Sequence, residues 1–281
     1  MNCGMGEWRP LVMPGAETFE IASPRTGETY RILVRLPVGP APAKGWPVLW
    51  MLDGDASFPL TFSRPTSGVL PPATAGRGVV VAVGFPGGVP FDARARSRNY
   101  TPMPDGETGD GVSTAFGGAS DFLYFLTQEL RPALAARLPL DGGRNTLFGF
   151  SYGGLFTLHT LLVHPGHFQR YWAASPSLWF SGGLMIRRMR AAPPVTDAQD
   201  VVITVGRDEQ FPAQPLPPAR MEHLARRAMV DNISEAAGLI AHANPGLRTE
   251  LIVAADHDHF DMLMHGVRRV QALAFDEGEA D

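Results

Sequence analysis

The chain's clearest signal is where its apolar residues run unbroken and where they alternate. Trp46–Asp53 (WPVLWMLD) and Gly78–Val83 (GVVVAV) are continuous apolar runs, the pattern of strands buried on both faces. Ahead of them, Thr18–Ala22 and Thr29–Pro37 read as two strands joined by the turn signal Ser23-Pro-Arg-Thr-Gly27. Phe85 to Gly118 is rich in Gly, Pro and Thr and too long for a simple connection, so it reads as a functional loop or a disordered one. Ser120 then caps a helical pattern in which Phe122, Leu123, Phe125, Leu126, Leu130 and Leu134 recur, with Pro132 expected to kink or shorten it.

Thr146–Phe150 is the next strand, followed by a turn and the apolar helix Leu155–Val163. Tyr171–Ala174 and Val201–Val205 are further strands, separated by a Gly- and Pro-punctuated segment near 180–199 that reads as a small lid. Met221–Ala243 reads as one long helix, Leu251–Ala255 as the last strand and Asp261–Phe275 as a closing helix. Strand–helix alternation of this kind predicts an α/β class, with a mostly parallel sheet covered on both faces. Neither an internal repeat nor a convincing linker divides the 281 residues, so a single domain is expected, with insertions near 85–118 and 180–199.

Composition narrows the function. The 24 basic and 28 acidic residues give a formal charge of −4, spread without blocks. No basic stripe points to nucleic acid, and no polybasic segment points to an anionic membrane surface. One cysteine, Cys3, leaves no intrachain disulfide and no Cys-based metal cluster. Met1 to Pro14 has no apolar core of a signal-peptide kind, and no apolar run approaches the roughly 20 residues of a membrane span. The expected location is the cytoplasm.

The chemistry gathers at Gly149-Phe-Ser-Tyr-Gly-Gly154. A G-x-S-x-G turn between a strand and a helix holds its serine in a strained, exposed conformation, and the helix N-terminus favours negative charge there. Ser151 is therefore the candidate nucleophile. A serine hydroxyl needs a general base. In a Ser, acid, His order the base follows the last strand, where Asp256-His257-Asp258-His259 stands. His257 comes first and is favoured, with His259 as the alternative. The acidic residues around these histidines suit helix capping better than metal binding. The acid is expected after Val201–Val205, where Glu209 is favoured over Asp208. Backbone amides must meet the oxyanion. Tyr152 follows the nucleophile, and the Asp53-Gly54-Asp55 turn offers the amide of Asp55, with Gly54 as its rival.

These residues resemble the α/β-hydrolase superfamily esterases that include the trilactone siderophore esterases. The matching stretches are Leu52-Asp-Gly-Asp55, Arg96-Ser-Arg-Asn-Tyr-Thr-Pro102, Gly117-Gly-Ala-Ser-Asp-Phe-Leu123 with Leu126-Thr-Gln-Glu-Leu-Arg-Pro132, Leu147-Phe-Gly-Phe-Ser-Tyr-Gly-Gly-Leu-Phe156, Ser175-Pro-Ser-Leu-Trp179 and Val205-Gly206. They stand in the family's order from about Arg31 onward. The resemblance implies an α/β-hydrolase fold and a serine esterase that needs no cofactor. It implies a small-molecule ester substrate, with ferric or apo catechol-type siderophore lactones as one class. By position, Arg96 and Arg98 are expected to face an anionic siderophore, and Trp179 and Phe180 to line an apolar pocket; salt bridges and core packing are the competing roles. Two departures stand out: Asn99 where the family commonly has Asp, and Asp-His after His257 where it has Gly-Ser.

Overall fold

The computed structural model describes residues 12–62 and 77–275, so Cys3 lies outside the described residues. Its strands are β1 (Ala16–Ala22), β2 (Thr29–Arg35), β3 (Trp46–Leu52), β4 (Val79–Gly84), β5 (Leu140–Phe150), β6 (Arg170–Ala174), β7 (Asp200–Gly206) and β8 (Arg248–Ala254). They form one eight-stranded sheet in the order β1-β2-β4-β3-β5-β6-β7-β8. The β1–β2 and β2–β4 pairs are antiparallel and the remaining pairs parallel. That order, with β3 crossing back between β4 and β5, is the α/β-hydrolase sheet.

The helices are α1 (Gly54–Ser57), α2 (Ala93–Tyr100), α3 (Ala119–Tyr124), α4 (Arg131–Ala135), α5 (Tyr152–Val163), α6 (Phe180–Ala191), α7 (Pro218–Arg227), α8 (Met229–Ala243) and α9 (His259–Phe275). The continuous apolar run of β4 has the predicted cause. Val79, Val81 and Val83 pack into one core with residues of α5 and α8, while Val80 and Ala82 pack on the opposite face against α9. Each such side chain removed from water is worth roughly 1.5–3 kcal/mol, which fixes the register of a central strand.

Five local expectations change. The 85–118 segment contains α2, which has no apolar periodicity; Asp92 caps it by accepting the Ala95 amide at 2.8 Å. The next helix starts at Ala119 after Gly118, with no side-chain cap from Ser120. Pro132, which lacks an amide hydrogen, follows a wider π-type turn at Phe125–Leu130, so the helical path continues without a break. The 180–199 segment forms α6, whose Leu184, Met185, Ile186 and Met189 are buried and which packs against α8. Over Phe180–Ala191 it is a covering helix of the core. The long helix expected over Met221–Ala243 is two helices, broken at Ala228, which sits at φ 42° and ψ 50°.

Asn99, one of the two departures from the resemblance, is fully used. It accepts from the Tyr30 hydroxyl at 2.9 Å and donates to Glu28 and the Ala95 carbonyl at 2.7 and 2.9 Å. An amide can both donate and accept, which a carboxylate cannot. Among the described residues, no helix is long and apolar enough to cross a membrane.

Candidate active site

Ser151 ends β5 and begins the turn into α5 at φ 59° and ψ −113°, a region that L-residues rarely occupy. The neighbouring glycines make that turn possible. A Cβ on Gly149 would lie 2.1 Å from the Gly153 carbonyl oxygen, and one on Gly154 would lie 2.9 Å from that of Ala174. The Ser151 amide donates to the Ala174 carbonyl at 2.9 Å, pinning the turn to β6. Its hydroxyl lies 3.3 Å from that of buried Ser177. The Tyr152 amide stands in the first turn of α5, where backbone N–H groups have no intrahelical acceptor.

The carboxylate of Glu209 is buried just beyond β7. Its Oε1 accepts from the Gly206 amide at 2.8 Å and the Ser175 hydroxyl at 2.5 Å. Its Oε2 lies 2.6 Å from Nδ1 of His259. Ser175 adopts φ 43° at the end of β6, which turns its hydroxyl toward the acid. Gly206 is required by close approach: a Cβ there would come 2.2 Å from the His257 carbonyl oxygen. The Asp208 amide donates to that same carbonyl at 3.2 Å, tying the histidine loop to the acid's turn. The ring of Phe150 lies 4.6 Å from that of His259, fixing the imidazole's plane.

The two histidines therefore differ from the order expected. The imidazole held by Glu209 is that of His259, and His257 faces the other way. Nδ1 of His257 lies 2.6 Å from the Ala255 carbonyl, its ring packs edge-on to His265, and it lines a separate recess with Leu60 and Asp261. Asp256 stands at φ 55°, in the turn between β8 and these histidines. Asp258 accepts the Phe260 and Asp261 amides and caps α9, as a helix-start acid should.

Ser151, Glu209 and His259 line one cleft of about 730 Å³, walled also by Phe91, Arg96 and Phe150 and closed on one side by α7. Arg96 reaches it with its charge already engaged. It binds Asp53 through Nε at 2.7 Å and through Nη2 at 3.2 Å, and donates to the Phe150 carbonyl just before the nucleophile. Asp53 is buried at φ 53°; burial raises its carboxyl pKa, and the Arg96 guanidinium works against that rise.

Asp55, whose amide is expected to meet the oxyanion, stands in the first turn of α1, after the Asp53 that Arg96 holds. Its carboxylate pairs with Arg31 at 2.6 Å and lies over Gly84 at the end of β4. Arg98 is elsewhere, paired with Glu28 at 3.3 Å and donating to the Thr26 carbonyl; its role in this structure is the salt bridge. Trp179 stands behind the cleft wall, 6.0 Å from the ring of Tyr152 and beneath the Arg227 guanidinium at 4.2 Å, and Phe180 is buried in the core. The Tyr152 hydroxyl donates to Asp110 at 2.7 Å, which fastens the 101–118 loop to the start of α5.

Sequence reasoning missed Ser175, Ser177 and Asp53. The available signal for the first two was their place directly after a buried strand, the same position from which Glu209 was read.

Known proteins match this chain over most of its length. Ferri-bacillibactin esterase BesA of Bacillus subtilis is 29% identical over 96% of this chain and 92% of its own. Siderophore triacetylfusarinine C esterase of Aspergillus fumigatus is 34% identical over 65% of this chain, which spans 62% of that protein. The solved structure of siderophore hydrolase EstB from Aspergillus nidulans superposes with a TM-score of 0.82 at 27% identity, over 97% of this chain and 98% of the other. The Esterase family model matches residues 23–245, and the chain belongs to that family.

Proposed function

We propose that the chain is a serine esterase in which Ser151, His259 and Glu209 act as nucleophile, general base and acid. The observation that carries this is the Glu209–His259 pair, at 2.6 Å, lining the same cleft as a serine held at a strained elbow. Glu209 fixes the tautomer of His259, so that Nε2 is left to take the proton from the Ser151 hydroxyl. The alkoxide oxygen bonds to the ester carbonyl carbon, and the carbonyl electron pair moves onto oxygen. The Tyr152 amide, aided by the helix terminus, receives that negative charge. As the tetrahedral intermediate collapses, His259 returns the proton to the departing alcohol. Water, deprotonated by His259, then frees the acyl group from Ser151. Arg96 and Asp53 hold the strand end beneath the nucleophile, so the expected substrate contact by Arg96 becomes a positioning role.

The names of the relatives favour a siderophore ester as the substrate. A cleft of this size would take one arm of such a molecule. The test is hydrolysis of ferric and apo trilactone siderophores beside short p-nitrophenyl esters, with a fluorophosphonate probe in parallel. Wild type is expected to label and to cleave a trilactone, and Ser151→Ala to do neither. Labelling that survives Ser151→Ala would remove the serine from the mechanism.

A further inference from the structure

The wall of the cleft opposite the catalytic groups is α7, and it is cationic. Arg220, His223 and Arg227 all face the space that Ser151 and His259 line. Their spacing of three and four residues puts them on one side of the helix. No described carboxylate lies in ion-pair contact with either arginine, and none of the three side chains makes a hydrogen bond to a described residue.

Surface arginines are often unpaired, but Arg227 is not simply on the surface. It is half-buried, and its guanidinium carbon lies over the Trp179 ring, 4.2 Å from the ring centre, a cation–π contact that helps to hold the group. Burial lowers its pKa most and Arg220 adds to the fall, while Tyr152, Asp110 and Glu209 work against it. The His223 pKa is lowered by burial and then by Arg227, Arg220 and Arg226, so three positive charges bear on one imidazole.

The described acids around this wall make no ion pair with it. Glu209 is spent on His259, Asp258 on the cap of α9 and Asp110 on the Tyr152 hydroxyl. Asp208 lines the cleft without pairing with either arginine. A preorganised guanidinium with uncommitted donors is worth most when an anionic oxygen arrives to meet it.

We infer that Arg220, His223 and Arg227 form an anion-receiving subsite, which selects esters carrying negatively charged oxygens away from the scissile carbonyl. The inference rests on the esterase reading and deepens it. The favoured substrate is a catecholate-bearing ester, anionic as its iron complex, over an uncharged hydroxamate one. A carboxylate at the same place would engage the same donors.

Two pairs of esters test it and separate the sources of charge. One pair is mono-p-nitrophenyl glutarate against p-nitrophenyl pentanoate, a carboxylate against an uncharged chain of matching length. The other is a ferric catecholate trilactone against a ferric trihydroxamate ester. In wild type, kcat/KM is expected to favour the anionic member of each pair. Its KM should rise with salt while that of the uncharged member stays level. In Arg220→Gln/Arg227→Gln the anionic-to-neutral ratio of kcat/KM is expected to fall by about tenfold or more, the size of a lost charged hydrogen bond. Arg220→Gln alone, at an exposed position, keeps the test open should the double variant misfold, and is expected to lower the ratio in the same direction. A preference for the glutarate ester without one for the ferric catecholate would assign the subsite to carboxylates.

A ratio that stays within about twofold in the variants, or a wild type whose KM for the anionic ester ignores salt, overturns the subsite and leaves the esterase reading standing. A wild type that cleaves none of the four esters and takes no fluorophosphonate label overturns both.

Discussion

Two histidines sit in one short loop, and only their surroundings tell them apart. His259 gives Nδ1 to a buried carboxylate, which can stabilise the imidazolium formed as the proton leaves Ser151; His257 gives Nδ1 to a loop carbonyl outside the cleft. The consequence is a sharp asymmetry between two conservative truncations. His259→Ala is expected to lower kcat by about 10⁴-fold or more, with little change in KM, since the base acts in the transition state. His257→Ala is expected to stay within about threefold of wild type. Steady-state kinetics on a p-nitrophenyl ester with both variants decides it, and comparable losses in the two would return the base to His257. The strained serines tell a similar story. Ser151 and Ser175 both sit at positive φ, at the ends of adjacent parallel strands, and each turns its hydroxyl out of the sheet toward the chemistry.

At the scale of elements, what the sequence reveals depends on whether the cause is local. β3 and β4 are legible because an unbroken apolar run needs cover on both faces. The elbow is legible because Gly149, Ser151 and Gly153 must be small or strained for a strand to turn directly into a helix. α2 was hidden because arginines dominate it and its apolar face is short; its cap, Asp92, is the one local mark. The choice between His257 and His259 was hidden because it rests on a contact with the distant Glu209 carboxylate and on no local pattern. The α7–α8 break was hidden because Ala228 offers no glycine to announce a left-handed turn, and it matters, because it lets α7 leave the line of α8 and form the cleft wall. Ala228 carries that break at φ 42°, where a Cβ costs an L-residue roughly 1–2 kcal/mol. Glycine would relieve this while losing roughly 0.5–1 kcal/mol of chain entropy on folding. Ala228→Gly is therefore expected to stabilise the fold by about 0.5 kcal/mol, read as a higher urea midpoint at an unchanged slope. A lower midpoint would mean that the left-handed strain is absent.

For the molecule as a whole, the sheet brings parts far apart in the chain into one site, and the core that supports the sheet sets the pH range in which that site persists. His159 on α5, the elbow helix itself, is 3% exposed, and neither ring nitrogen has a hydrogen-bond partner. Burial pushes its pKa down from 6.5 to about 4, with Arg188 and His164 adding to the fall. The folded state thus binds a proton more weakly than the unfolded chain. Above pH ~6.5 both states are neutral at this residue and the fold bears no proton-linked cost. As pH falls from ~6.5 toward ~4, only the unfolded chain gains the proton, and stability drops by up to roughly 3 kcal/mol before the folded form protonates too. His265, also lowered to about 4 chiefly by burial, acts in the same direction from a less buried position. Replacing His159 by Leu keeps similar bulk and removes the ionisation, so His159→Leu is expected to flatten the loss of urea stability between pH 6.5 and 4. Equal pH slopes for wild type and variant would show that the acid sensitivity lies elsewhere. A flattened slope with unchanged kcat at neutral pH would assign His159 to the scaffold beneath the nucleophile, apart from the proton transfers carried out by His259.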